Sequence, residues 1–179
     1  ALGSHHTDCL RTFLGEPVDV LASVRVDQPR RGASDVATAD DACTVHSTFA
    51  DGATALIDLS ASAPYRWERY EVHGEDATLR WDDNGYRLWR IVAGKEPELL
   101  STPAEYALDV REGEPQLLAP FRVMVDRLHR AIRHGEPLEP SFAADAVPVQ
   151  CALDACRASS RAGTRVVVEP PPPPPPAAA

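Results

Sequence analysis

The sequence predicts an α+β fold: an open, mostly antiparallel sheet with helices packed on one face. Three observations predict it. Alternating apolar and polar stretches follow one another through short turn signals at Asp51-Gly52, Gly74-Glu75-Asp76 and Asn84-Gly85, which is how antiparallel hairpins are written. From Gln116 to His134 the apolar residues change to helical spacing, and a second helical stretch of small residues runs to Gly163. A sheet with one apolar face has to be covered, by helices or by another subunit.

Taken in order, the chain opens on Gly3-Ser4-His5-His6-Thr7-Asp8-Cys9, which reads as a helix start. Ser4 is expected to cap it, Cys9, Leu10, Phe13 and Leu14 to form its apolar stripe, and Gly15 with Pro17 to stop it. His5 then falls in the first turn, where the positive end of the helix dipole disfavours imidazolium and a neutral, proton-accepting ring is expected. Val18, Val20, Ala22, Val24 and Val26 alternate with Asp19, Leu21, Ser23, Arg25 and Asp27, the period of a half-buried strand. Gln28 to Ala39 is a polar loop. Ala42 to Ala50 and Ala53 to Ser60 flank Asp51-Gly52 as a hairpin.

Tyr65 to Val72, Ala77 to Trp81 and Tyr86 to Ala93 continue the strands. Glu96 to Glu114, interrupted by Pro97, Pro103 and Gly113, is expected to be loop-like. Leu117, Leu118, Phe121, Met124, Val125, Leu128 and Ile132 make one helix face, with Met124 expected in the core, and Arg122, Asp126 and Arg130 the charged face. Ser141 or Asp145 can cap the last helix, and Pro148 fits best in the first turn of a helix capped by Asp145, since deeper inside it costs about 3 kcal/mol. Thr164 to Val168 is a last short strand. One domain over 1–169 is therefore expected, with the Pro/Ala tail 170–179 too uniform to pack and expected to be extended or disordered.

Composition limits what such a domain can do. A formal net charge of -9, with no Lys/Arg run, argues against a nucleic-acid partner. No apolar run approaches the ~20 residues of a membrane span. Lys95, the only lysine, sits in a turn and is no candidate base. The cysteines Cys9, Cys43, Cys151 and Cys156 lack metal or redox spacing and read as buried thiols of a cytoplasmic protein. His5 and Cys9, four apart on a helix, could share a metal, with His46 or His73 completing it, but two ligands on one turn do not make a site. Structural histidines are the commoner reading of His46, His73, His129 and His134. Neither a nucleophile elbow nor a glycine-rich phosphate loop occurs.

The opening Ala1-Leu2-Gly3-Ser4-His5-His6-Thr7-Asp8 segment and its helix resemble the Asp-x-Gly-x-His-x-x-Asp segment of the Gfo/Idh/MocA family of NAD(P)-dependent oxidoreductases. The similarity continues in Phe121-x-x-Met124-Val125-Asp126, Ala131-Ile132-x-x-Gly135-Glu136-Pro137, Asp145-Ala146, Leu153-Asp154-Ala155-Cys156-x-Ala158-Ser159 and Gly163-Thr164-x-Val166-Val167-Val168. It covers nearly the whole chain apart from the tail. The resemblance implies a C-terminal, substrate-binding and oligomerisation domain. NAD or NADP would be bound by an N-terminal nucleotide-binding domain expected before Ala1, and the isolated chain would not turn over.

It further implies His5 as the catalytic residue that takes or returns a hydroxyl proton, its reference pKa of ~6.5 suiting that task. His6, Tyr65, Arg66 and Trp67 would bind substrate, a small hydroxylated molecule such as a sugar or polyol. Ala1 stands where the family motif has aspartate. The sheet face would join copies of the chain into a dimer or tetramer. Two further readings share the residues: a NAD-dependent glycosidase, which regenerates its cofactor, and a non-catalytic binding or scaffold module.

Overall fold

The computed structural model describes residues 2–29, 32, 36–65, 67–82, 87–101, 109, 112–115, 118–137 and 142–171. Ala1, Arg66, the Asn84-Gly85 turn, Pro103, Ser141 and most of the proline tail lie outside them. The chain divides into two compact units, Ala1–Ala63 with Glu139–Ala179, and Pro64–Leu138.

The first unit holds α1 (Leu2–Leu14), β1 (Pro17–Arg25), β2 (Ala42–Phe49), β3 (Thr54–Ser60), α3 (Phe142–Ala162) and β8 (Val166–Val167). Its strands form an antiparallel sheet in the order β3-β2-β1-β8. The predicted hairpin turns where expected: Asp51 accepts the Ala53 amide at 2.9 Å, and Gly52 takes a φ of 89°, open to glycine at little steric cost. In β1 the alternation buries Val20 and Ala22, but the register shifts between Pro17 and Asp19. That bulge turns Pro17 inward and leaves Val18 exposed.

Val20, Ala22 and Val45 pack with Ala155 and Cys156 of α3. The small residues of α3 permit this close approach of helix and sheet. Two serines then finish the edge of β1. Because β8 pairs only Asp19 and Val20, the amides of Ala22 and Val24 lie beyond its reach, and they donate to Ser159 Oγ and Ser160 Oγ, each at 2.9 Å. Ser159, fully buried, donates its hydroxyl to the Thr164 carbonyl at 2.6 Å. A helix thus satisfies donors that a longer strand would have taken.

The second unit holds β4 (Tyr70–His73), β5 (Thr78–Asp82), β6 (Arg87–Ile91), β7 (Glu98–Leu100) and α2 (Leu118–His134). Its sheet is antiparallel, in the order β4-β5-β6-β7. The antiparallel α+β class stands, with the strands distributed over two sheets of four rather than one.

Four local expectations are corrected. The first helix begins at Leu2, so Ser4 lies inside it and is not its cap. β7 occupies part of the stretch expected to be loop; Pro97 precedes it, where its missing amide costs no ladder bond. Pro148 is inside α3, which starts at Phe142, and it is buried there, so packing outweighs the lost helical bond. Met124 is not in a core: it is exposed, as are Phe121, Val125, Leu128 and Ile132.

Candidate functional site

α1 carries the histidines. It ends where Gly15, at φ 80°, donates its amide to the Arg11 carbonyl at 2.9 Å. At Gly3 it passes close to α3, where a Cβ would make an ordinary contact with the Leu153 side chain at 3.7 Å. Thr7, Leu10 and Arg11 line a small cavity with Val20, Val45 and Cys156, which sets the inward face of the helix. His5, Asp8 and Thr12 are exposed at spacings of three and four, which sets the outward face. His5 therefore points away from the sheet, and His6 beside it is half-buried.

The base of the helix is pinned by charge. Arg11, whose side chain is only 9% exposed, donates Nε to Glu16 at 2.8 Å and Nη1 to Asp8 at 3.2 Å. Thr12 Oγ1 donates to the Asp8 carbonyl at 3.0 Å. These contacts hold the turn after His5 without engaging its ring.

The other sequence-predicted residues lie in the second unit. Tyr65 and Trp67 stand ahead of β4, which starts only at Tyr70, and both are well exposed, at 70% and 59%. Arg66 lies outside the described residues. Arg69, which sequence reasoning missed, places its guanidinium 5.1 Å from the centroid of the Trp67 ring and lies 3.6 Å from Glu71. The two-residue step from Trp67 to Arg69 to Glu71 was the available signal.

A second polar cluster crosses the face of the first sheet opposite its helices. Thr48 donates to Asp19 at 2.6 Å, Arg165 donates to the same carboxylate, and Arg165 Nη2 lies 3.0 Å from His46 Nδ1. The Thr48 hydroxyl above all holds the Asp19 carboxyl below its usual range, against an upward push from burial, and the Arg165 guanidinium lowers it further. Leu21, Leu56 and Val167 are exposed on this unit. His46 is thus engaged in the sheet's own network.

Two of the thiols are held toward their protonated form. Burial pushes Cys156 up to about 11, and burial with the nearby Asp40 carboxylate raises Cys43. Among the described residues no group of three or more His, Cys, Asp or Glu side chains could hold a metal ion, and no helix is long and apolar enough to cross a membrane. None of the described helices opens from a strand through a glycine-rich turn within the described residues.

Residues 1–80 match the family model of the GFO/IDH/MocA C-terminal domain. No curated protein matches the chain by sequence. Among solved structures, levoglucosan dehydrogenase in complex with NADH and levoglucosan superposes with a TM-score of 0.78 at 20% identity, covering 94% of this chain and 49% of that one. An oxidoreductase domain protein from Kribbella flavida gives 0.75 at 22% identity, over 94% and 49%. Aldose-aldose oxidoreductase from Caulobacter crescentus, complexed with glycerol, gives 0.68 at 22%, over 92% and 45%. The chain spans about half the length of these structures, and at such identities the likeness is one of fold.

Proposed function

On the premise that this chain carries the GFO/IDH/MocA C-terminal domain, matched over residues 1–80, we propose that it is the substrate-binding part of an NAD(P)-dependent oxidoreductase acting on a sugar, polyol or related CH-OH compound. The observation that supports the reading is His5, which falls within the matched residues 1–80 and is exposed on α1. A nicotinamide supplies the hydride-transfer chemistry when bound, and we assign it to a nucleotide-binding domain outside the residues given. What falls to this chain is to bind the hydroxylated carbon and to move the hydroxyl proton.

A general base must reach the proton it abstracts, so it needs an open ring on a rigid support. The exposed His5 ring has the opening, and α1, pinned through Arg11 to Asp8 and Glu16 and packed against α3, has the rigidity. His6, Tyr65, Arg66 and Trp67 are assigned to substrate. Residues 1–169 act in this reading as one functional part, inactive without the nucleotide-binding domain, with the tail 170–179 outside it. We further assign the helix-free face of the first sheet to self-association, because Leu21, Leu56 and Val167 leave apolar surface there.

The test uses the intact enzyme with NAD and NADP against a panel of sugars and polyols. Net cofactor reduction is expected, whereas a glycosidase would regenerate its cofactor and show none. His5→Ala is expected to lower turnover by about 10²- to 10⁴-fold. Unchanged turnover would remove His5 from the mechanism.

A further inference from the structure

We infer that Trp67 is a stacking platform for the ring of a cyclic sugar, held in place by Arg69, and that it makes the second unit select ring-form over open-chain substrates. The inference rests on the hydroxylated-substrate reading above and narrows it.

An indole left 59% exposed forgoes much of the hydrophobic gain that normally draws tryptophan inward. Here the ring is held by a cation instead. Arg69 lies over it at 5.1 Å, and Arg69 is itself oriented by Glu71 at 3.6 Å. Glu71 in turn lies 3.7 Å from His73, whose Nδ1 is 3.0 Å from Thr78 Oγ1 on the neighbouring strand. A chain of polar contacts anchored in the β4–β5 ladder thus ends on the guanidinium that covers the indole. Tyr65, two residues before Trp67, is 70% exposed and adds a second aromatic edge.

Such a surface suits one kind of small molecule. A sugar ring is flat and apolar across its C–H face and polar around its rim. The C–H face can lie on the indole face opposite the one that the Arg69 guanidinium covers, while the rim hydroxyls stay in water. An open-chain polyol presents no such face, and it must also freeze its own rotors to lie flat. Arg69 is a positioning residue in this arrangement: it fixes the plane on which the ring rests.

The test is ligand-observed NMR on the chain with levoglucosan, methyl β-D-glucopyranoside and sorbitol. Trp67→Ala is expected to weaken binding of both ring compounds about tenfold, and Trp67→Phe, which keeps an aromatic face, by no more than about threefold. Arg69→Ala is expected to weaken ring binding about threefold, with partial rescue by Arg69→Lys. Sorbitol binding is expected to be weak and indifferent to all four changes. The inference is overturned if Trp67→Ala leaves ring binding unchanged, or if it weakens ring and sorbitol equally. Binding of sorbitol alone would overturn it while leaving the hydroxylated-substrate reading intact. Failure of every compound to bind would also overturn it, and the functional reading would then be decided by His5→Ala turnover, which does not involve Trp67.

Discussion

The two units are made from the same local signal, successive antiparallel hairpins, yet among the described residues only the first encloses a core. In the first, Val20, Ala22 and Val45 meet Ala155 and Cys156 of α3, and burial along β2 alternates from Val45 to Phe49. In the second, all five residues of β5 are half-buried, and Ala119 is the one buried residue among those described. α2 is strongly amphipathic in sequence, but its apolar residues remain exposed, Ile132 by 74%. A hairpin supplies one apolar face; a core forms where a second layer closes on it. The stability of the chain should therefore be concentrated in the first unit, and the surface available for binding in the second.

Denaturant unfolding of paired variants puts this contrast at risk most directly. Val20→Ala, at a site 1% exposed, is expected to cost about 2 kcal/mol, and Ile132→Ala less than about 0.5 kcal/mol. Equal losses would mean that α2 packs its apolar face as tightly as the first sheet does. A smaller effect is expected from Ser159→Ala, which strands the buried Ala22 amide, at about 1–2 kcal/mol. Hydrogen exchange should locate that damage: faster exchange at Ala22, with the β4–β5 ladder unchanged.

The smallest expected effect lies on the acid limb. Asp19 titrates lower in the folded chain than in the unfolded one, so the stability it contributes is present above the unfolded carboxyl's pKa of ~3.9 and disappears as pH falls through the folded value. Asp19→Asn should lower the neutral plateau slightly, by what this carboxylate contributes there, and flatten this part of the acid-unfolding curve. An acid limb identical to the parent's would separate Asp19 from the stability of the sheet.

Much of the fold was legible because it is governed by contacts a few residues apart. Asp51-Gly52 makes its turn, and Gly15, Gly135 and Gly163 end all three described helices at positive φ, each donating its amide four residues back. The alternation in β1 points Val20 and Ala22 to the core, and the helical period of α2 is real. His5 and Trp67 were legible as candidates, the first through a motif, the second through its place in an aromatic stretch.

What local chemistry left open depends on partners distant in the chain. The place where the ladder breaks into two sheets, the tolerance of Pro148 inside α3, and the bulge that exposes Val18 are settled by packing, which outweighs propensity. The same holds for function. Sequence spacing alone turned the chain into turns, helices and strands and marked its histidines. Tertiary structure decided that His5 faces outward while His46 is tied to Arg165, that α3 lends Ser159 and Ser160 to the edge of β1, and that Arg69 covers Trp67. Backbone periodicity is a short-range property written in neighbouring residues, whereas the environment of a side chain is set by whatever the folded chain brings to it.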